Sequence, residues 1–324
     1  MNLRDKRILI TGGTGFVGSE IANRLLYRDC NINIIANERE YLWRISKNNK
    51  CNFFFIDLRN FAEVKHCIEE IRPEIIFHLA GFINVERDLD LLNNIFSINF
   101  EGTRNLLLSL KDMDFDLFIN TGTSDEYGSQ DPPLNETFKE MPSSPYAVSK
   151  VASTYLCDMI SRVFNKPIIT VRPFLVYGPT QITISLIPSL IYCGLENKEL
   201  LLTSCEQGRD FIYIDDLVDA YISLAENVDI IRNMGIFNLG SGEEIMIKDV
   251  VNFIKEKTGG SNFIIGSRRY RIGENMHHYC SREKINQAIN WAPKWSIEEG
   301  LKETIKWWRN NREIWINYKY MWEK

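Results

Sequence analysis

Tyr146 and Lys150 stand four residues apart in Ser144-Pro145-Tyr146-Ala147-Val148-Ser149-Lys150. On a helix that spacing puts both side chains on one face, a turn apart. A lysine ammonium beside a phenol favours the phenolate, so Tyr146 is expected to have a lowered pKa. Such a tyrosine can pass a proton to or from a hydroxyl or carbonyl near neutral pH. Taken alone, the pair fits a solvated helix face as well as a catalytic one, and its surroundings must decide. Just upstream, Asn120-Thr121-Gly122-Thr123-Ser124-Asp125-Glu126-Tyr127-Gly128 adds hydroxyls and two acids. Pro145 suits the first position of a helix, which should continue with Val151, Tyr155, Met159 and Val163 inward.

Positioning these groups requires a scaffold, and the N-terminal region supplies its signal. Residues 7–11 read as a short buried strand, followed by Thr11-Gly12-Gly13-Thr14-Gly15-Phe16-Val17-Gly18 and a helix. Strand, glycine turn and helix together lay a pyrophosphate on a helix N-terminus. Gly12 allows the tight turn, Gly15 lets the backbone approach phosphates, and Gly18 permits close helix–strand packing. Further strands are expected at residues 32–36, 52–56, 75–79, 117–121 and 168–171, with helices between them, including one from 94 to 110. Alternating strands and helices imply a doubly wound α/β sheet. Ligands then bind beyond the carboxyl ends of the strands, where residues 121–128 lie.

The bulk numbers are compatible with this. The chain has 324 residues, enough for one large or two ordinary domains. With 44% hydrophobic and 25% charged residues and a net charge of -5, it reads as globular and not as a sequence-independent nucleic-acid binder. Its seven cysteines, at 30, 51, 67, 157, 193, 205 and 280, never form a CxxC pair, so free thiols are expected rather than disulfides or zinc ligands. Met1 to Lys6 lacks the apolar core of a signal peptide, and no run reaches the ~18 apolar residues of a membrane span. A cytoplasmic enzyme is expected.

TGGTGFVG near the N-terminus with a downstream YxxxK resembles the extended short-chain dehydrogenase/reductase superfamily, in its nucleotide-sugar epimerase/dehydratase/reductase branch. The likeness runs through essentially the whole chain. It implies a Rossmann-type sheet with a smaller α/β C-terminal lobe: residues 1–178 and 207–240 bind NAD(P), and 179–206 and 241–324 bind the sugar nucleotide. At the tip of the second strand, Glu38 would bind the adenosine ribose of NAD, whereas Arg39 would meet the 2'-phosphate of NADP. Of the two, Arg39 and NADP are favoured. Asp57-Leu58 would frame the adenine. Leu79-Ala80-Gly81 resembles the family's HLAA segment, where the cofactor passes close to the backbone, with His78 packed beneath. Asn99 would steady the active-site backbone.

The resemblance makes Thr123 the catalytic hydroxyl and Tyr146 the acid/base. Lys150 would hold the ribose hydroxyls, with Thr121 and Pro173 beside the cofactor. Ser124, Asp125 and Glu126 would face the sugar, and Arg209 and Arg271 the substrate diphosphate. Asp215 and Asp216 read as first-turn acids of a helix. The aromatic C-terminus, from Trp307 to Trp322, reads as a packing or subunit element. A homodimer is expected.

Three reactions fit this family pattern. In 4,6-dehydratases an acid at the position of Asp125 moves protons between C5 and C6; Asp is one methylene shorter than the usual Glu there. In 4-epimerases these positions are small and non-acidic. In reductases of 4-keto-6-deoxy sugars the segment is acid-acid-Tyr-Gly, as in Asp125-Glu126-Tyr127-Gly128. The expectation is a reductase of an NDP-4-keto-6-deoxyhexose at C4, with dehydratase or epimerase as alternatives and a non-catalytic NAD(P) sensor as a remote one.

Overall fold

The computed structural model describes residues 1–322 except 38, 40, 47 and 261. Glu38, named above for the adenosine ribose, lies outside the described residues. In chain order the first strands are β1 (Arg7–Thr11), β2 (Asn31–Ala36), β3 (Cys51–Phe55), β4 (Ile75–His78), β5 (Leu117–Thr121) and β6 (Ile168–Pro173). Short β7 (Leu175–Tyr177), β8 (Leu200–Leu201), β9 (Gly208–Arg209) and β10 (Phe211–Tyr213) follow, then β11 (Ile236–Leu239). Seven of these form one parallel sheet in the order β11-β6-β5-β4-β1-β2-β3. The order reverses at β1, which opens a crevice beyond the ends of β1 and β4.

Both faces of the sheet are covered, which is why its strands are nearly continuous apolar runs. Alternate residues of β1 serve opposite layers. Ile8 and Ile10 pack into a cluster with Ile21 and Leu25 of α1 (Phe16–Leu26), and with Leu217 and Tyr221 near the sequence end of the domain. Leu9 joins the other cluster, with Ile68 of α2 (Phe61–Ile71), Leu106 and Cys157.

The helix expected at 94–110 is not uniform. It runs as α3 (Leu92–Phe96), a π turn over Ser97–Glu101, and α4 (Gly102–Ser109). The widened turn has a local cause. The Asn99 carbonyl accepts from the Thr103 hydroxyl at 2.6 Å and the Ser153 hydroxyl at 3.4 Å, and such competitors favour a π bulge.

The next helix, α5 (Pro145–Phe164), carries Tyr146 and Lys150. Its apolar stripe turns out rather than in: Tyr155, Met159 and Val163 are exposed. The buried face is instead mostly small and polar, with Ala147, Ser149, Ser153, Thr154 and Cys157, and Leu156 and Ile160 pack beside it on the second cluster. Small side chains let the helix backbone sit close to the strand ends that it serves.

Beyond residue 178 comes α6 (Leu186–Leu195). The α7 helix (Ile214–Glu226) carries Asp215 and Asp216 in its first turn, as the sequence suggests. Asp216 accepts from the Lys294 and Trp295 N–H groups, and Asp215 pairs with Arg24 at 3.0 Å. Three more strands are β12 (Ile245–Met246), β13 (Phe263–Ile264) and β14 (His277–His278). β9 pairs with β12 and β14, β8 with β13, and β10 with β7. Most of the C-terminal aromatics pack inward, whereas Tyr320 is exposed. Trp308 and Trp315 are fully buried, and Tyr318 accepts from the Trp43 indole at 2.9 Å. Among the described residues no helix is long and apolar enough to cross a membrane.

Candidate active site

The glycine turn is shaped by what lies against it. Gly12 has φ +69°, and a Cβ there would sit 2.8 Å from the Ala80 N atom. Gly18 faces the Gly12 carbonyl so closely that a Cβ would collide with it. Gly15 is different: its added Cβ would meet only the Gly12 carbonyl at 3.0 Å. Gly15 caps α1 without a side-chain hydrogen bond, and the first turn, with Phe16 and Val17, holds no acid. An uncapped helix N-terminus with an open glycine face fits a pyrophosphate.

The neighbouring segments complete the crevice. Leu79 and Ala80 are tied to Thr11 through its carbonyl and hydroxyl, at 3.1 and 3.2 Å. A Cβ on Gly81 would stand 3.3 Å from Lys150 Nζ, so this glycine lies directly against the lysine. Leu58 is buried against Gly102. The Asp57 carboxylate is taken by Arg59, with Nε at 2.8 Å and Nη2 at 2.5 Å. Arg59 also holds its pKa down. An adenine amino group would therefore share Asp57 with Arg59. Arg39 lies with its guanidinium 4.4 Å over the Phe55 ring.

His78 links two of these elements. The Thr103 hydroxyl donates to Asn99, so it must accept from His78 Nε2–H at 2.8 Å. His78 Nδ1 is then the acceptor for the Thr11 hydroxyl at 2.7 Å. The tautomer is fixed by this proton count, and burial lowers the His78 pKa to about 3. Asn99 braces the next loop and the next helix. Its side chain exchanges hydrogen bonds with the Phe82 backbone, at 2.7 and 3.1 Å, and donates to Ser149 Oγ at 3.0 Å.

At the end of β5 the chain turns through a short helical loop, Ser124–Tyr127. The Thr123 side chain accepts from the Asp125 N–H at 3.2 Å. It lies near enough to Tyr146 to oppose the rise of the phenol's pKa. Tyr146 enters on α5, whose start is fixed by Ser144 accepting from the Ala147 N–H at 3.2 Å. Thr123, Tyr146 and Lys150 thus converge, each from a different local device.

Their electrostatics differ from the sequence expectation. Tyr146 is raised above the usual phenol range, by burial first and by the charge of Asp125 next, with Thr123 opposing the rise. Lys150 was expected to lower it. Instead, its ammonium donates to the Thr121 carbonyl at 2.9 Å, and burial brings its own pKa down to about 8. Helix spacing aligns the pair, but desolvation outweighs the lysine charge. Thr121 also hydrogen-bonds through its hydroxyl to Tyr221 at 2.8 Å.

The acids divide. Asp125 is half-buried, with its pKa raised by burial and opposed by Arg209, Arg271 and Arg87. It looks onto the basic side of the cleft, next to Tyr146. Ser124 beside it is buried. Glu126 is not a cleft residue. It is fully buried behind the loop, 2.8 Å from an equally buried Arg172. This corrects its expected place against substrate: a capping-box acid turns back toward its own N-cap backbone.

Arg209 pairs with Glu274, and Arg271 stands 3.8 Å from Glu86. Arg87, which sequence reasoning missed, donates to the Gly273 carbonyl at 3.1 Å. No motif marks it, because only folding brings loop 82–91 to residues 271–274. Pro173 ends β6 opposite Leu239 of β11.

The comparisons with known proteins agree with this geometry. The family model described as "NAD dependent epimerase/dehydratase family" matches residues 8–240. A UDP-glucuronate 4-epimerase from Thermodesulfobacterium geofontis is 30% identical, over 94% of this chain and 97% of its own. The dTDP-D-glucose 4,6-dehydratase of Homo sapiens is 28% identical over 96% and 92%. Among solved structures, UDP-glucuronic acid 4-epimerase from Bacillus cereus, in complex with UDP-glucuronic acid and NAD, superposes with TM-score 0.83. It is 26% identical over 94% of this chain and 99% of that one. Epimerase Mth375 from Methanothermobacter thermautotrophicus gives TM-score 0.89 at 23% identity, over 97% and 95%, a likeness of fold. With its parallel sheet, glycine turn and Thr-Tyr-Lys constellation, the chain belongs to the NAD dependent epimerase/dehydratase family of nucleotide-sugar enzymes.

Proposed function

We propose that this enzyme is an NDP-hexose 4,6-dehydratase. The observation that carries the reading is Asp125, an acid of raised pKa standing close enough to Tyr146 for its charge to raise the phenol. Gly12, Gly15, Gly18, the first turn of α1, Gly81 and Lys150 would hold the dinucleotide. When bound, the nicotinamide supplies a hydride acceptor for the sugar C4 and later a donor. Tyr146 takes the C4 hydroxyl proton, and Thr123 orients that oxygen. The resulting C4 carbonyl acidifies the C5 hydrogen. Asp125 takes the C5 proton and passes it to the departing C6 hydroxyl, which leaves as water, with burial favouring the protonated form that it holds between the two transfers.

A second reading is the reductase of an NDP-4-keto-6-deoxyhexose. Arg39 favours it, as a cation at the tip of β2 suited to the 2'-phosphate of NADP. The burial of Glu126 takes away one of the two acids that suggested it. Incubation of the enzyme with dTDP-, UDP-, GDP- and CDP-glucose and their 4-keto-6-deoxy products, with and without NADPH, separates the readings by product mass. Loss of one water without added reductant supports the dehydratase. Gain of two hydrogens with NADPH consumed supports the reductase. A changed product of unchanged mass points to epimerisation and sinks both.

The exposed Tyr155, Met159 and Val163 stripe of α5 supports a homodimer built on that helix. Seven free thiols support a reducing, cytoplasmic setting. The pairing of β9 with β12 and β14 supports a small substrate lobe that also takes in residues 208–209.

A further inference from the structure

The Glu126 carboxylate is held by three residues behind the loop. Its Oε1 accepts from the Thr123 backbone N–H at 2.9 Å. Its Oε2 accepts from Arg172 Nε at 2.9 Å and from the Thr154 hydroxyl at 3.1 Å, with Arg172 Nη2 2.8 Å away in the same ion pair. Arg172 is itself fixed: Nη2 reaches Glu140 at 2.6 Å, and the guanidinium lies 4.5 Å over the Tyr127 ring. The approach to Thr123 is close, since a Cβ on Gly122 would collide with Glu126 Oε1. The pair therefore spans the ends of two neighbouring strands, β5 and β6. A carboxylate suits the task because it offers about four acceptor sites on two oxygens.

We propose that Glu126, anchored by Arg172, is a positioning residue that holds the Thr123 backbone so that the Thr123 hydroxyl meets Tyr146. This rests on the reading of Thr123 and Tyr146 as the reacting pair. An ion pair that only stabilised the fold would be indifferent to which group accepts the Thr123 N–H. A positioning residue is not.

Two double variants separate these roles. E126Q/R172M and E126L/R172M both remove the Glu126 and Arg172 charges together and leave Glu140 equally without its arginine, so they differ only in the group at 126. Only Gln can still accept from the Thr123 N–H. In E126L/R172M we expect kcat to fall about 30- to 100-fold, with KM and cofactor affinity changed less than about threefold. Hydrogen exchange in the peptide around Thr123 should speed up in the same variant. In E126Q/R172M the exchange should stay slow and kcat should fall less than about tenfold. E126D adds a third arm that keeps the Arg172 pair but is one methylene too short for Thr123; it should lose kcat and exchange protection. Equal kcat and equal exchange in the two double variants, or E126D with native values of both, overturns the proposal. If the native enzyme turns over no NDP-hexose, the functional reading fails, and the exchange comparison alone decides the positioning.

Discussion

The Lys150 ammonium donates to the Thr121 carbonyl at 2.9 Å, tying α5 to the end of β5. The bond satisfies one N–H of a charge that burial makes expensive, and the lysine pKa comes down from 10.5 to about 8. The unfolded chain then binds more protons than the folded one between those values. The destabilisation is fully present below pH 8 and disappears as pH rises toward 10.5. Compared with K150M by urea unfolding without cofactor, the native protein should gain stability across this window. A difference that is flat with pH would contradict the assignment.

Asp125 should separate oxidation from elimination. D125N is expected to slow loss of water at least about 100-fold, because general acid catalysis is worth 10²–10⁴. Hydride transfer at C4 should continue, so the 4-keto hexose with its C6 hydroxyl intact should accumulate. Mass spectrometry of the quenched reaction reads this directly. Full water loss in D125N would exclude Asp125 as the acid.

His78 should report on acid stability. Its pKa is 6.5 in the unfolded reference and about 3 when buried. The unfolded state therefore binds more protons between these values, and stability falls as pH drops through the window. His278, lowered to about 4 by burial, adds to the same slope. H78N should make the decline of the unfolding midpoint between pH 6.5 and pH 4 shallower without removing it.

Gly15 and Gly18 should behave differently although both belong to one motif. G18A forces a Cβ against the Gly12 carbonyl. It should cost about 1–3 kcal/mol by denaturant unfolding, the range for overpacking. G15A meets one tight contact, the Gly12 carbonyl at 3.0 Å, so it should cost less stability than G18A, about 1 kcal/mol. Its dinucleotide affinity, measured by calorimetry, should fall more than tenfold as the added methyl fills the face proposed for phosphate. Native affinity in G15A would move the phosphate site elsewhere.

Much of the fold was legible because its signals are local. Apolar runs with helices between them, together with the glycine turn after residue 11, specify a parallel sheet and its crevice. The interruption of the 92–109 helix was not legible, because the donors that open it sit on Thr103 and on Ser153 of another helix. The outward stripe of α5 was misread for a related reason. Periodicity shows that an apolar face exists, not which side is buried, and here the buried face is mostly the one with small residues.

By itself the sequence determined the scaffold and singled out the glycine turn and the Tyr146–Lys150 pair by spacing within one segment, while Thr123 came from the family resemblance. The tertiary structure decided what the charged groups do. It turned Glu126 away from the cleft and onto Arg172, brought Arg87 to residues 271–274, and made burial rather than Lys150 the force that sets Tyr146. Charges act through space and through the loss of water around them, and neither distance nor desolvation is written in the order of residues.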